Sequence, residues 1–221
     1  MTTDISDVIV KMHELIHLLE KGKKRGLLLA PRSIMNINKL VGCCSEDIVV
    51  FLYDTSWTFS EFMKQLHKTL GPLEMKSLEK IAWAFHGNMI DFNIVSDFSL
   101  TMTERNNIGQ WQHFVDIITT IRPYLRSECK RIDFMGCSLF NNPDFEILKV
   151  LLDYCSDLKC ATSKNATGNV RGADWVLEDG KINLLNLYFK EDMIRQLDVD
   201  IELRREVRDL RGEVRDIRER H

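Results

Sequence analysis

The sequence predicts an α/β fold, an open, mostly parallel β-sheet with helices on both faces, flanked by an N-terminal helix and a long C-terminal helix. Short apolar runs rich in β-branched and aromatic residues, typical of buried strands, recur along the chain. Segments with helical periodicity separate these runs, and such alternation is typical of a parallel sheet covered on both faces. A chain of 221 residues with 44% hydrophobic content is sufficient for one well-cored domain with appendages.

The N-terminal segment, residues 1–46, is predicted to be helical. Its apolar residues between 5 and 20 follow helical spacing, and the basic loop KGKKRG ends that helix. HELIH (13–17) matches the HExxH pattern of zinc enzymes, in which two His one turn apart bind the metal. The third ligand of that series is absent, because Glu20 and Lys23 stand where Gly and His are required. We therefore expect an amphipathic helix here and no metal.

The α/β domain is predicted over residues 47–189. Thr58 begins its first helix and Gly71-Pro72 ends it, while Pro123 lies in the last turn of the second. The predicted strands are 47–53, 79–87, 130–136 and 158–163, and the predicted helices are 58–70, 108–125 and 144–155. Two hairpins are predicted, one pairing 89–95 with 98–102 and one spanning 173–189 across Asp179-Gly180.

The C-terminal segment, residues 190–221, is predicted to be one amphipathic helix. Leu203, Val207, Leu210, Val214 and Ile217 follow the 4-3-4-3 spacing of a heptad seam. This pattern indicates parallel self-association of the chain through residues 201–221. The alternatives are a single helix that packs on its own domain and a helix that binds a different protein partner.

Charge and composition exclude several classes of protein. A net charge of -3 gives no broad basic field for nucleic acid. No stretch approaches the roughly 18 uncharged apolar residues of a membrane span, and MTTDISDV is unlike a signal peptide. The six cysteines form neither a disulfide framework nor paired CxxC units. We therefore expect an intracellular, reducing location, with neither nucleic-acid nor membrane partners and no cofactor.

Two predicted strands end in residues that together could form a catalytic site. One ends in Phe85-His86-Gly87 and the other in Gly136-Cys137, and ligands of such sheets gather beyond the carboxyl ends of the strands. A thiol needs a neighbouring base to become a thiolate near neutral pH, and imidazole is the usual one. His86 and Cys137 are therefore candidates for a catalytic dyad. The alternative is a packed cysteine and a hydrogen-bonded histidine at the strand ends.

AFHG (84–87), followed about 50 residues later by IDFMGC (132–137), resembles the caspase-like cysteine peptidase fold. MGCSLFNNPDF and LKCATSKNATGNVRGADWVLEDG are similar to an uncharacterised caspase-like domain at the start of large bacterial adhesins, with relatives in giant DNA viruses. The similarity covers roughly residues 47 to 189. It implies a caspase-like sheet with His86 as base and Cys137 as nucleophile, and with the N–H groups of Gly87 and Cys137 as oxyanion donors.

The chain also departs from these families. Asn88-Met89 replaces the small, Gly-containing turn that follows His-Gly in the adhesin domains, and the Gln-Ala-Cys-Arg-Gly signature of caspases is absent. Specificity for Asp is therefore not expected. Two classes of function are consistent with the sequence. One is a thiol hydrolase of peptidase type that acts on polypeptides. The other is a caspase-like scaffold with a structural or assembly role, such as a virion component, that oligomerises through the C-terminal helix.

Overall fold

A computed structural model describes most of the α/β region and parts of its surroundings. The described residues are 23–34, 36–84, 93–99, 108–136, 149–150, 157–169, 173–178 and 181–197. The predicted helix within residues 5–20, its HELIH motif and the heptad seam at 201–221 lie outside the described residues. Within the described part of the chain, no helix has the length and apolar character that crossing a membrane requires.

A five-stranded parallel sheet is the centre of the fold. Its strands are β1 (Gly26–Pro31), β2 (Ile48–Tyr53), β3 (Lys80–Ala84), β6 (Arg131–Met135) and β7 (Lys159–Ala161). They lie in the order β2-β1-β3-β6-β7, and every neighbouring pair is parallel. The chain adds β2 on one side of β1 and then β3, β6 and β7 on the other side. This strand order is that of a doubly wound α/β sheet. The predicted α/β class with its parallel sheet is confirmed.

β1 differs from the sequence-based expectation. Residues 1–46 were expected to be helical, yet GLLLAP forms a strand between β2 and β3, so the sheet begins at Gly26 rather than at residue 47. All six residues of β1 are buried. A central strand covered on both faces shows no apolar-polar alternation, and a short run of leucines has no β-branched residues to indicate a strand.

Helices cover both faces of the sheet. α1 (Ile37–Gly42) follows β1, α2 (Phe59–Leu70) follows β2, and α3 (Ile108–Ile121) follows the segment after β3. Thr58 caps α2, because its hydroxyl accepts a hydrogen bond from the N–H of Glu61 at 3.3 Å. A 3-10 turn over Arg122–Tyr124 extends α3 through Pro123, as the sequence predicted. Residues 149–150, inside the predicted helix 144–155, are helical, and the rest of that segment lies outside the described residues.

Two hydrophobic cores lie on opposite faces of the sheet. In the first, the apolar residues of α2 and α3 pack against alternate strand residues such as Leu27, Trp83 and Phe134. In the second, α1 and the C-terminal helices pack against the intervening residues, among them Ala82, Ala84 and Met135. The alternation of side chains along β3 and β6 therefore assigns each strand position to one core.

The predicted hairpins are found in part. β4 (Asn93–Val95) and β5 (Phe98–Ser99) pair antiparallel within the first. In the second, β10 (Val176–Leu177) pairs antiparallel with β11 (Ile182–Asn183), but the residues after β11 do not continue as a strand.

Leu184–Tyr188 form a short helix, α4, which corrects the predicted strand, and Glu191–Ile194 form α5. α5 ends at Ile194 and a turn follows over residues 195–197, so the single helix predicted from residue 190 onward is wrong at its start. Asn183 caps α4 by accepting a hydrogen bond from the N–H of Leu185 at 3.0 Å. Leu184, Leu185 and Tyr188 are buried, a helical spacing that places all three on the second core.

Candidate active site

The strands that precede His86 and Cys137 in the sequence, β3 and β6, are hydrogen-bonded parallel neighbours. β3 pairs with β6 in the register Ala82↔Asp133, Trp83↔Phe134 and Ala84↔Met135. His86, Gly87 and Cys137 themselves lie outside the described residues. In the sequence, His86 comes two residues after Ala84, and Cys137 comes two residues after Met135. Each candidate thus follows its member of the last described pair by the same number of residues in the sequence.

The last residues of β3 and β6 also lie on the same face of the sheet. Ala82 and Ala84 of β3 belong to the second core, and so does Met135 of β6. Trp83 and Phe134, the residues between, belong to the first core. The side chains of Ala84 and Met135 therefore share one face of the sheet at its carboxyl edge.

The loop that follows β7, residues 162–169, lies at the same edge of the sheet. β7 pairs with β6 in the register Asp133↔Ala161, so Thr162 comes directly after the last paired residue. Thr162, Ser163 and Thr167 are all completely buried. The sequence analysis assigned no role to these three hydroxyl groups.

Hydrogen bonds hold this loop against the segment that contains β9 (Ala173–Asp174). Asn165 donates its side-chain N–H to Asp174 at 3.0 Å, and the N–H of Lys164 donates to Glu178 at 2.8 Å. β8 (Ala166–Thr167) pairs with β9. The loop is therefore fixed on the sheet edge by side chains and by backbone pairing together.

Asn169 connects the same loop to the C-terminal helices. Its Oδ1 accepts from the indole N–H of Trp175 at 2.7 Å, and its Nδ2 donates to the carbonyls of Ile194 and Leu197 at 2.6 Å each. One side-chain amide thus provides hydrogen bonds to a buried tryptophan and to two carbonyl groups, one at the C-terminal end of the helix Glu191–Ile194 and one three residues beyond it.

The structure contains a buried polar cluster beneath the second core, which the sequence analysis did not predict. Asp133 of β6 is 1% exposed and accepts a hydrogen bond from the hydroxyl of Tyr188 in α4 at 2.7 Å. Arg131 also donates to Asp133 through Nε, and through Nη2 at 3.3 Å. Burial and the neighbouring charge of Asp133 raise the pKa of Tyr188 well above its ordinary value. The cluster therefore joins the C-terminal helices to the strand that leads to Cys137.

Three buried cysteines among the described residues, Cys43, Cys44 and Cys129, are unlike activated thiols. Burial, together with the neighbouring Cys43, raises the pKa of Cys44 to about 12, and burial also raises the pKa of Cys43 and of Cys129. Because the thiolate is the reactive form, these three side chains are poor nucleophiles near neutral pH.

Within the described residues, no group of three or more His, Cys, Asp or Glu side chains is arranged to hold a metal ion. HELIH lies outside those residues and stays a sequence-based expectation of an amphipathic helix. In comparisons with known proteins, the chain matches no family model, no curated protein and no solved structure.

Proposed function

We propose that the chain is a thiol hydrolase of peptidase type, in which His86 activates Cys137. One observation carries the proposal: β3 and β6 are parallel neighbours, and their last described pair is Ala84↔Met135. Counting two residues on from each member of that pair gives His86 and Cys137. Equal spacing in the sequence from one paired register position supports the proposal that the two side chains meet.

Strand geometry supports contact between the two side chains. Neighbouring strands lie about 4.8 Å apart, and side chains two residues apart on a strand share a face. Ala84 and Met135 lie on the same face of the sheet. If the strand geometry continues for two residues, His86 and Cys137 project from that face side by side. An imidazole and a thiol in this arrangement are within reach of a hydrogen bond.

The chemistry is that of an acyl transfer to sulfur. His86 takes the proton of the Cys137 thiol, and the thiolate attacks the carbonyl carbon of a peptide bond. As the tetrahedral intermediate collapses, the C–N bond breaks, and His86 returns the proton to the leaving amine. Water, deprotonated by His86, then hydrolyses the thioester and releases the acid. In the arrangement that the caspase-like resemblance implies, the N–H groups of Gly87 and Cys137 stabilise the oxyanion.

Replacing His86 with alanine tests the proposed base. We expect the rate at which a peptidyl chloromethyl ketone alkylates Cys137 to fall about 100-fold or more, the usual contribution of a positioned base. The measurement is the second-order rate of labelling at neutral pH, read by mass spectrometry of the peptide that contains Cys137. Cys43, Cys44 and Cys129 are internal references, because their buried thiols should not be labelled in the folded chain.

His67→Ala is the matched control, because His67 is exposed on α2. It should leave the labelling rate unchanged. Equal rates in the wild type and in the His86→Ala variant would refute the dyad and leave Cys137 as an ordinary thiol.

The second candidate function is a scaffold that assembles through its C-terminal helix. The heptad spacing of Leu203, Val207, Leu210, Val214 and Ile217 favours it. In this case the caspase-like domain would have a structural role, for instance in a virion. The candidate does not require the dyad, so it gains support if Cys137 proves unreactive.

A further inference from the structure

The outer strand β2 leaves one edge of the parallel sheet open. β2 lies at the end of the strand order, and within the part of the chain that the structure describes it pairs with β1 alone. Its six residues, IVVFLY, include no charged residue, no proline and no glycine. Proteins usually protect a sheet edge with a charge, a proline, a bulge or a covering element, because an exposed apolar strand readily pairs with another strand. β2 has neither a charge nor a proline, so its edge is suited to pairing.

Alternate residues of β2 direct their backbone groups away from β1. The carbonyl of Asp47 accepts from the N–H of Gly26 at 3.1 Å, so it is directed towards β1. The carbonyl of Tyr53 accepts from the N–H of Arg32 at 2.8 Å and is directed to the same side. Successive residues of a strand direct their N–H and C=O groups to opposite sides. The residues with outward groups are therefore Ile48, Val50 and Leu52.

Most of these outward groups have no hydrogen bond within the described part of the chain. The N–H of Ile48 is the exception, because it donates to the carbonyl of Ser45 at 3.0 Å. No hydrogen bond among the described residues reaches the carbonyl of Ile48 or the N–H and carbonyl groups of Val50 and Leu52. A strand that completes this edge must therefore offer both a donor and an acceptor to Val50.

Apolar side chains border the edge on both faces of the sheet. Val49 packs at the margin of the first core, whereas Val50 and Leu52 pack at the margin of the second. All three side chains are partly exposed, while Phe51 between them is buried. A further apolar strand beside β2 would therefore extend both cores and remove this surface from water.

The acidic residues next to β2 are already paired within the chain. Lys80 binds Asp47 at 2.9 Å. At the other end of the strand, Asp54 accepts hydrogen bonds from the N–H of Ser56 at 2.9 Å and from its hydroxyl at 2.8 Å. The ends of the edge therefore do not select a basic partner, and the uncharged strand between them selects an apolar one.

We propose that β2 pairs antiparallel with β2 of a second copy of this chain, across a two-fold axis at Val50. In this register Val50 lies opposite Val50 of the second copy, and Ile48 lies opposite its Leu52. Each Val50 donates its N–H to the other and accepts in return, and the N–H of each Leu52 donates to the carbonyl of the opposite Ile48. All free N–H groups of the edge are thus satisfied, and every facing pair is apolar.

A second copy fits this edge because β2 is complementary to itself. The outward residues are placed symmetrically about Val50, and none of them has a charge that would be repelled by its own copy. Pairing uses the open edge of both copies, so association closes at a dimer and does not continue into a fibre. This surface is separate from residues 201–221, and the proposal does not depend on the dyad.

A cysteine at position 50 tests the pairing in the intact chain. Directly opposite residues of a hydrogen-bonded antiparallel pair have Cα atoms about 5.5 Å apart, within the roughly 4.4–6.8 Å that a disulfide spans. We expect mild oxidation of Val50→Cys to link most of the protein into a dimer through position 50, as read by mass spectrometry of the linked peptide. Met75→Cys is the control, because Met75 is 63% exposed in the loop between α2 and β3 and should not form such a link.

Val50→Lys tests the same contact without a covalent bond. Position 50 donates no hydrogen bond to β1, so β2 should keep its place in the sheet, which circular dichroism checks. Two lysines would face each other across the axis, and like charges at directly opposite positions are unfavourable. We expect the dimer dissociation constant from sedimentation equilibrium to rise about tenfold or more. Val50→Thr keeps the β-branched shape without a charge and should leave this constant nearly unchanged.

Hydrogen exchange identifies what occupies the edge. The N–H groups of Val50 and Leu52 should exchange more slowly as the protein concentration rises. Protection of these amides in a monomer would identify another segment of the same chain as the occupant and overturn the proposal. A wild-type chain that stays monomeric at tens of micromolar would overturn it as well. So would a dimer that Val50→Lys leaves intact and that oxidation does not link through position 50, because it assembles through another surface.

Discussion

Replacing Trp83 with alanine is expected to lower the free energy of unfolding by about 3–5 kcal/mol. Trp83 is completely buried in β3, at the centre of the first core. Its ring stacks with those of Phe62, Phe114 and Phe134, at centroid distances of 6.4, 6.0 and 6.4 Å. Truncation therefore removes contacts with α2, α3 and β6 together and leaves a cavity between them.

The same substitution also removes a buried hydrogen bond. The indole N–H of Trp83 donates to the hydroxyl of Tyr53 at 3.1 Å, and Tyr53 is itself completely buried. Urea unfolding followed by circular dichroism measures the change. Trp57→Ala is the control, because Trp57 is only partly buried at the margin of the same core, and it should cost distinctly less. A loss of under 1 kcal/mol for Trp83→Ala would contradict the described packing of β3.

Replacing Asp133 with alanine is expected to lower the free energy of unfolding by about 2–4 kcal/mol. The carboxylate accepts from Tyr188, whose buried hydroxyl would lose its partner. Arg131 would lose its partner as well, but its side chain is 35% exposed and can reach water. The expected cost therefore lies below that of breaking a completely buried ion pair.

Asp157→Ala provides the matched control for Asp133. Asp157 is paired with Lys130, yet both side chains are more than half exposed, so its removal should change stability far less than the removal of Asp133 does. Chemical denaturation at constant pH measures both variants. Equal effects of the two substitutions would mean that Asp133 contributes no more than a surface ion pair.

Much of the sheet was predictable because its signals are local. The run at 47–53 carries β-branched and aromatic residues, and Thr58 and Gly71 mark the ends of α2 in the sequence itself. In these described elements, the local conformational preference of the sequence agrees with the conformation that the whole fold requires.

The elements that sequence reasoning missed depend on distant partners. β1 is a strand because β2 and β3 pair with it on both sides, which no window of the sequence reveals. Asp133 is buried because Tyr188, 55 residues further along the chain, donates to it. Thr162 and Thr167 are completely buried in the described part of the chain because of how the loop after β7 packs, and the sequence gives no local signal of this.

A cross-link between positions 86 and 137 tests the central claim most directly. A disulfide needs Cα atoms roughly 4.4–6.8 Å apart, a range that includes directly opposed residues on neighbouring parallel strands. The measurement is mild oxidation of the His86→Cys variant, followed by mass spectrometry of the cross-linked peptides. Phe85→Cys is the control, because successive side chains of a strand project from opposite faces of the sheet.

The proposed register predicts that His86→Cys joins Cys137 readily, while Phe85→Cys does not. Failure of His86→Cys to cross-link, or equal cross-linking by the two variants, would contradict the proposed juxtaposition of His86 and Cys137.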